Sequence, residues 1–364
     1  MDVDKVYLAE PRGFCAGVEM AIKALAWMVN MFDPPVYCYH EIVHNQIVVD
    51  RFKDHGVIFV DDIDQVPLGS PIMLSAHGSA PEVVEMARKR GGAVVNAVCP
   101  LVTKVHHELK VRAQKGYTVI YVGHNGHEEA IGTMAVAPQA VRLVEYEEDV
   151  DSLGQLDGPL ALLAQTTLSH DEWSGVVDKV KRTFGELWMP TRGDLCFATT
   201  NRQGALKAIA HLADTVVVIG SANSSNTVAL GKVANGAGTK RVIRVNSSQE
   251  LPEDIVGTVA VTAGASAPEE LVEEVLKVLS PKHGIEVVRN TDEDEYFPPP
   301  RELRELIKSI EDQIFHAQDR DDLQAQPHLP PQLNLEKTRS LLGRPQVDDR
   351  QKSASDVLVE LGTD

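Results

Sequence analysis

Short apolar runs alternate with amphipathic stretches along most of this chain, and each run ends in a polar loop. Residues 5–9 lead through 12–17 to a stretch at 18–28 with helical periodicity. Residues 72–74 lead through 75–82 to a helix ending near 88, and 94–97 lead to a helix near 104–113. The same order recurs at 118–122 before 123–129, at 160–163 before 165–172, at 216–219 before 220–227 and at 258–261 before 262–270. Within 165–172, Ser169 and Glu172 have the spacing of a capping box, which predicts a helix start. Strands alternating with helices predict an α/β fold with parallel sheets. Ligands of such sheets bind beyond the C-terminal strand ends, where all these polar loops fall.

No sequence period accompanies the recurrence, so the repetition is one of structure. The spacing of the cysteines suggests three α/β lobes of about 80 to 100 residues, within the usual domain range. The expected division is an opening strand and approach to Cys15 at 1–14, packed with the third lobe, then lobes at 15–98, 99–193 and 194–290. A C-terminal arm follows at 291–316, with Pro298, Pro299 and Pro300 ahead of an amphipathic stretch near 303–315. Residues 317–364 read as a flexible tail, because 319–351 are rich in Asp, Gln, Pro and Arg with little periodicity.

Composition narrows the function classes. The chain has 364 residues, 43% apolar and 24% charged, as expected of an ordinary soluble protein with a large core. Its formal net charge of −18 and lack of a Lys/Arg cluster argue against nucleic acid as a partner. The N-terminus runs straight into a strand pattern with no signal-peptide character. No apolar run approaches the roughly 18 residues that cross a membrane, so no membrane insertion is expected. Four cysteines without a dense framework point to a reducing compartment, and a cytoplasmic location is the expectation.

Three of those cysteines share a setting. Cys15 in Gly-Phe-Cys-Ala-Gly, Cys99 in Val-Cys-Pro-Leu-Val-Thr-Lys and Cys196 in Leu-Cys-Phe-Ala-Thr-Thr-Asn-Arg-Gln each sit where a strand pattern gives way to a helix pattern. A thiolate there meets backbone N–H groups and the positive end of a helix, which lower its pKa and ready it for metal. Three such positions suggest one site assembled from three lobes, with coordination left over for a substrate. Zinc and an iron–sulfur cluster are both allowed by this spacing. Cys38, in Val-Tyr-Cys-Tyr-His, reads as packing.

Around these thiols stand polar loops. His44, His77, His124 and His127 occupy turn-like positions or strand ends, with Gly78, Gly123 and Gly126 allowing close approach of a ligand. Taken singly, each histidine is explained as a surface or capping residue. Together with hydroxyl-bearing loops they fit capture of a phosphorylated anion. His106 and His107, on the helix after Cys99, read as structural. The loop Ser224-Ser225-Asn226 opens a helix after a strand and can cradle phosphate, although Ser and Asn also cap helices routinely. Thr166 and Ser266 carry the same two readings. Glu129, two residues after His127, can hold and deliver a proton in a closed pocket, or be solvated like Glu128. Neither a Walker A string nor G-x-G-x-x-G is present, so a nucleotide reading has no support.

The strings around these residues closely resemble the 4-hydroxy-3-methylbut-2-enyl diphosphate reductases, iron–sulfur enzymes that end the non-mevalonate isoprenoid pathway. The matching strings are Pro-Arg-Gly-Phe-Cys-Ala-Gly-Val, Glu-Ile-Val-His-Asn, Ser-Ala-His-Gly and Cys-Pro-Leu-Val-Thr-Lys-Val-His in the first third of the chain. Gln-Thr-Thr-Leu-Ser, Ala-Thr-Thr-Asn-Arg-Gln, Asn-Ser-Ser-Asn and Val-Thr-Ala-Gly-Ala-Ser-Ala-Pro follow. The resemblance runs from about residue 5 to about 312 and does not reach the tail.

It implies a three-lobed α/β trefoil around one [4Fe–4S] cluster, held by Cys15, Cys99 and Cys196 with one iron open to the substrate's hydroxyl oxygen. It also implies that His44, His77, His127, Thr166, Ser224, Ser225, Asn226 and Ser266 bind the diphosphate substrate and that Glu129 donates a proton. Two electrons and two protons then remove the hydroxyl as water, giving isopentenyl and dimethylallyl diphosphates. Ferredoxin or flavodoxin is the implied electron donor. The family loop His-Pro-Glu-Val-Glu-Gly-Thr reads His127-Glu-Glu-Ala-Ile-Gly-Thr133 here, so Glu128 replaces a proline and Ile131 replaces a glutamate.

Two other readings compete: a three-thiolate zinc hydrolase of a phosphorylated substrate, and a non-catalytic cluster sensor that signals through the tail. Colour separates the metals. Anaerobically purified protein is expected to be brown with broad absorption toward the blue, whereas a colourless zinc protein would overturn the iron–sulfur expectation.

Overall fold

Runs such as Leu160–Ala164 and Thr215–Ile219 are buried at every position, which is the pattern of strands covered on both faces. In the computed structural model, which describes residues 1–191, 193–316, 329–342, 350 and 352–361, such runs mostly alternate with helices, short 3-10 turns at Ile63–Gln65 and Ser248–Glu250 taking the place of a helix in two connections. The chain opens with β1 (Asp2–Glu10), α1 (Ala16–Met31), β2 (Val36–Tyr39), α2 (Gln46–Asp54), β3 (Val57–Val60), β4 (Pro71–Leu74), α3 (Pro81–Arg90) and β5 (Ala93–Asn96). It continues with α4 (Pro100–Gln114), β6 (Thr118–Val122), α5 (Glu128–Ala135), β7 (Val141–Val144), α6 (Asp149–Ser152), β8 (Leu160–Ala164), α7 (His170–Phe184) and α8 (Phe197–Ala210). Then come β9 (Thr215–Ile219), α9 (Ser225–Gly236), β10 (Arg241–Val245), β11 (Val256–Ala263), α10 (Glu269–Leu279) and β12 (Ile285–Arg289). The described chain closes with α11 (Arg301–His316), α12 (Leu335–Leu342) and α13 (Ala354–Leu361).

Three parallel sheets result, with strand orders β10-β9-β11-β1-β12, β3-β2-β4-β5 and β7-β6-β8. The opening strand β1 lies between β11 and β12, in the sheet otherwise built from the last third of the chain. By compactness the chain divides into two units, the first of which holds two of the three sheets. The first unit is Met1–Cys15 with Pro100–Glu295, and the second is Ala16–Cys99 with Tyr296–Asp364.

The first unit contains two sheets because they are joined by specific polar contacts. Cys196 donates its backbone N–H to the Thr166 carbonyl (3.1 Å), and His170 donates its own to Gln203 Oε1 (3.0 Å). Gln203 Nε2 in turn donates to the Leu168 carbonyl (3.0 Å), and Lys232 pairs with Glu172. Helix α7 begins at the anticipated capping box, with Ser169 and Glu172 each bonding the other's backbone. Its buried Val176, Val177 and Val180 face β6 and β8, joining the core of Ile120, Val122, Leu162 and Ala164.

In the second unit Ile72 and Leu74 of β4 pack with Tyr37, Val60 and Ala87. The stretch expected to be a flexible tail departs from that expectation where it is described. Helices α12 and α13 both pack on α1. Asn334 donates its backbone N–H to the Met31 carbonyl (2.8 Å), and Thr338 Oγ1 reaches the same oxygen (3.3 Å). Both satisfy the open end of α1, whose last carbonyls have no partner inside the helix. Ala354 donates its N–H to Glu19 Oε2 (2.7 Å), and Leu358 is fully buried. Composition missed this because short helices docked on a neighbour need few apolar positions of their own. Residues 317–328 and 343–349, also counted in that tail, lie outside the described residues.

No helix among the described residues is long and apolar enough to cross a membrane. Leu358→Ala should destabilise the second unit by about 2–5 kcal/mol, the usual cost of emptying a buried leucine site. Thermal unfolding checks this, with a lowering of about 2–4 °C expected per kcal/mol for a unit of this size. An unchanged midpoint would show that α13 contributes nothing to that core.

Candidate active site

Parallel pairing sends the strand ends and their loops to one edge of each sheet, and the polar residues of interest collect there. In the first unit Cys15 follows β1, and its N–H donates to the Ala265 carbonyl beyond β11 (3.2 Å). Cys196 is the N-cap of α8. Its Sγ accepts from Thr199 N–H (3.2 Å) and lies 3.0 Å from Thr199 Oγ1. Part of the Cys196 residue remains accessible, yet desolvation around its thiol, with the nearby Cys15 thiol adding, pushes its pKa up to about 12.

That direction is opposite to the one expected for a cysteine at a helix start. The end of a helix stabilises an adjacent charge by at most about 2 kcal/mol, whereas a three-unit rise corresponds to roughly 4 kcal/mol. Desolvation therefore wins. Cys196 favours its thiol form until a cation takes the place of solvent.

Glu129 lies on α5 and is only 2% exposed, so it is not a solvated loop charge. Both its carboxylate oxygens face Thr166: the backbone N–H donates to Oε1 (2.7 Å) and the hydroxyl to Oε2 (3.0 Å). His127 caps α5, with Nδ1 accepting from Glu129 N–H (3.1 Å). An accepting Nδ1 assigns the proton of the neutral ring to Nε2. Glu128 takes the first position of α5, where proline is favoured for its preset backbone and a negative charge is favoured by the helix dipole. Ile131 is 52% exposed on the same helix. Both departures from the family loop are thus compatible with a regular helix start.

Ser224 caps α9 by accepting from Thr227 N–H (3.3 Å), and Ser266 Oγ donates to Ser224 Oγ (3.4 Å). Asn226 bridges two loops, accepting from Ala265 N–H (2.9 Å) and donating to Thr199 Oγ1 (3.4 Å). Ser225 Oγ sits between Gln165 Nε2 (3.1 Å) and His124 Nδ1 (3.2 Å), while Gln165 Oε1 accepts from His124 N–H (2.9 Å). His124 is shifted down from the ordinary imidazole pKa, chiefly by burial and less by Lys232, against the raising influence of Glu172 and Glu145. The first unit therefore unites Cys15, Cys196, Glu129, His127, Thr166, Ser224, Ser225, Asn226 and Ser266 through one set of bonded loops.

In the second unit, His44 and His77 stack with ring centroids 3.9 Å apart, tilted by 19°. His44 Nδ1 lies 3.4 Å from Glu41 Oε2. Cys99 donates its N–H to the Ala76 carbonyl (3.0 Å), and Ala76 donates to Ile42 (3.4 Å). The loops after β2, β4 and β5 are thereby tied together. Asn45 anchors the first by capping α2, accepting from Ile47 N–H (3.1 Å) and Val48 N–H (3.3 Å).

Gly123, expected to leave room for a ligand, instead leaves room for protein. A Cβ there would fall 2.8 Å from Tyr121 Cε1 and 3.2 Å from Gln165 Oε1. Gln165 and Thr199 were not anticipated as site residues, and His124, read among the candidate ligand-facing histidines, proves to be a partner of Ser225. Thr199 had a signal, since a hydroxyl three residues after a cap cysteine can meet its sulfur. Gln165 had none, because its partners are remote in sequence. His106 is half-buried and held to a pKa of about 4 by desolvation of its ring, in keeping with a structural role. Asp194, which is buried, is raised to about 6 by desolvation, against the Ala164 N–H bond and the attraction of Lys104. Cys38 is buried in β2, as packing requires.

None of the four cysteines is joined in a disulfide. The nearby Cys15 thiol, which disfavours charge on Cys196, together with the Thr199 N–H and hydroxyl at Cys196 Sγ, fits a positively charged, thiolate-ligated centre.

The fold and these loops define an α/β protein with parallel sheets, carrying a buried acid beside a thiol site. A family model described as LytB protein matches residues 6–280. The 4-hydroxy-3-methylbut-2-enyl diphosphate reductase of Rhodopirellula baltica is 47% identical over 308 residues, covering 82% of this chain and 96% of that protein. The enzyme of the same name from Acidothermus cellulolyticus is 44% identical over 313 residues, covering 84% and 92%. The solved structure of the E-1-hydroxy-2-methyl-but-2-enyl-4-diphosphate reductase from Plasmodium falciparum matches with a TM-score of 0.82 at 34% identity, covering 85% of this chain and 99% of that one. The chain belongs to the LytB protein family.

The His106 shift makes a signed prediction. Its folded pKa near 4 lies below the unfolded value near 6.5, so its stability contribution is complete above about pH 6.5 and is lost as pH falls toward 4. Asp194 acts in the opposite direction, so the informative quantity is the difference between His106→Gln and wild type. Denaturant unfolding of the metal-free protein at several pH values should show this difference moving toward the variant, by on the order of 3 kcal/mol, between pH 7 and 4. A constant difference would mean that His106 is solvated.

Proposed function

We propose that this protein reduces (E)-4-hydroxy-3-methylbut-2-enyl diphosphate to isopentenyl and dimethylallyl diphosphates with loss of water, the last step of the non-mevalonate isoprenoid pathway. The observation that carries this reading is the junction at Thr166. Its N–H and hydroxyl hold the buried Glu129 carboxylate, while its carbonyl accepts from Cys196 N–H. A proton donor is thereby fastened one residue away from a metal-ligating thiol. The names of the relatives support the substrate and reaction.

In this proposal Cys15, Cys99 and Cys196 hold a [4Fe–4S] cluster with one iron lacking a protein ligand. When bound, the cluster supplies electrons one at a time and a Lewis-acid iron for the hydroxyl oxygen. The rest falls to the chain's own groups. Glu129 Oε1 accepts from a backbone N–H that cannot reverse its role, so a carboxyl proton resides on Oε2, beside Thr166 Oγ1. From there it passes to the departing hydroxyl, directly or through the Thr166 hydroxyl, and the leaving group departs as water. The balance is two electrons and two protons: one proton completes the water and the other reaches the allylic carbon skeleton.

His127 presents Nε2–H to the diphosphate, and His44 and His77 add imidazole donors. Ser224, Ser225, Asn226 and Ser266 contribute hydroxyls, an amide and the N-terminal N–H groups of α9. His124 and Gln165 hold Ser225 in place. A one-electron donor such as ferredoxin or flavodoxin, and a cytoplasmic location, belong to the same proposal.

The test is anaerobic turnover of reconstituted protein with reduced methyl viologen. Substrate-dependent bleaching and the two five-carbon diphosphates are expected. Brown protein that leaves the dye reduced would overturn the assigned substrate, and colourless protein would overturn the cluster. Glu129→Gln should retain its iron and bind substrate while turnover falls about 10²- to 10⁴-fold, the range for loss of a positioned acid. Undiminished turnover would remove Glu129 from the proton path.

A further inference from the structure

The string Asn201-Arg202-Gln203 on α8 has no part in the chemistry described above, yet Arg202 is among the largest fully buried side chains, at 1% exposure. Its guanidinium is satisfied at every nitrogen, entirely within the first unit. Nε and Nη2 both donate to the Gly13 carbonyl (3.0 and 2.8 Å), and Nη2 also reaches the Phe14 carbonyl (3.1 Å). Nη1 donates to the Ala198 carbonyl (3.0 Å) and to Glu293 at Oε1 (2.9 Å) and Oε2 (3.0 Å). Asn201 Nδ2 donates to the same Glu293 carboxylate (3.0 Å), which lies in the segment following β12.

Gly13 and Phe14 directly precede Cys15, and Ala198 lies two residues after Cys196. One rigid cation therefore grips both thiol-bearing segments by their backbones. Gly13 has φ +65°, and a Cβ there would lie 3.2 Å from the Ala267 carbonyl, so this loop has its own fixed conformation for the fork to hold. Lysine carries the charge without the planar five-donor geometry and cannot span these acceptors. Glu293 balances the buried charge and fixes the fork's orientation.

We propose that Arg202, oriented by Glu293, is a positioning residue for the metal centre, setting the separation of Cys15 from Cys196. This rests on the iron–sulfur reading above. If it holds, loss of the fork loosens iron more than loss of ordinary packing does.

The experiment follows iron release from anaerobically reconstituted full-length protein to excess ferrous chelator. Arg202→Lys and Glu293→Gln are compared with wild type and with Val180→Ala, a truncation in the buried face of α7 that leaves every bond of the fork in place. Thermal unfolding of the metal-free forms is recorded alongside. Arg202→Lys and Glu293→Gln should release iron about 10- to 100-fold faster than wild type, the range for lost outer-shell support. Val180→Ala should release iron at the wild-type rate despite its lower thermal midpoint. The electron paramagnetic resonance spectrum of the reduced cluster should change in the two fork variants alone. Should Arg202→Lys not fold, Glu293→Gln carries the test, since it leaves the guanidinium and its four backbone bonds in place. Release from the fork variants no faster than from Val180→Ala would overturn the positioning role while leaving the cluster intact. A wild-type protein that takes up no iron would overturn the cluster reading, and this inference with it.

Discussion

Parallel pairing is the constraint from which the rest of the chain's architecture follows. Among the described residues every pairing between named strands is parallel, so each strand must return by a crossover, helical in most cases, and its C-terminal end opens onto a loop at one edge of its sheet. Loops at that edge are free of ladder hydrogen bonding and available for polar side chains. Cys15, Cys99, His44, His77, His127, Thr166, Ser224 and Ser266 take such positions, Glu129, Ser225 and Asn226 open the helices that follow, and Cys196 caps α8 without a strand directly before it. The sheets supply rigidity, and side-chain to backbone bonds between loops supply the positions of individual atoms.

Thr166 and Arg202 show how those bonds work. Thr166 uses its N–H, hydroxyl and carbonyl to tie a helix-borne acid to a cap cysteine. Arg202 uses a guanidinium to tie the loop after β1 to the start of α8. Both join segments distant in sequence, and both rely on groups whose donor or acceptor roles cannot be exchanged. A backbone N–H must donate, and a guanidinium has no acceptor. Such contacts allow few alternative arrangements, which suits the proposed centre, whose ligands would come from separate parts of the chain.

The Cys196 thiol illustrates the competition between local and tertiary effects. Its place at a helix start favours the thiolate, and the Thr199 donors favour it further. Burial outweighs both. A thiol that disfavours charge in this way suits a ligand whose cation supplies the missing compensation, as the proposed centre would. The His127-Glu-Glu start of α5 is the milder case, where Glu128 replaces a proline without disturbing the cap because a first-turn acid also suits the helix dipole.

Hydrophobic periodicity determined the strand–loop–helix order and the parallel sheets, and the spacing of Ser169 and Glu172 determined the cap, because these depend on neighbours a few residues apart. The strings around Cys15, Cys99 and Cys196 marked the candidate residues because particular side chains are their signal. Tertiary structure alone decided which loops are bonded to which. It brought β1 between β11 and β12, buried Glu129 against Thr166 and pushed the Cys196 pKa upward. It also made packing partners of Gly123 and Tyr121, and turned parts of an apparently structureless C-terminal segment into helices on α1. Each of these outcomes is set by groups far away along the chain, through desolvation and hydrogen bonds that no local pattern of residues encodes.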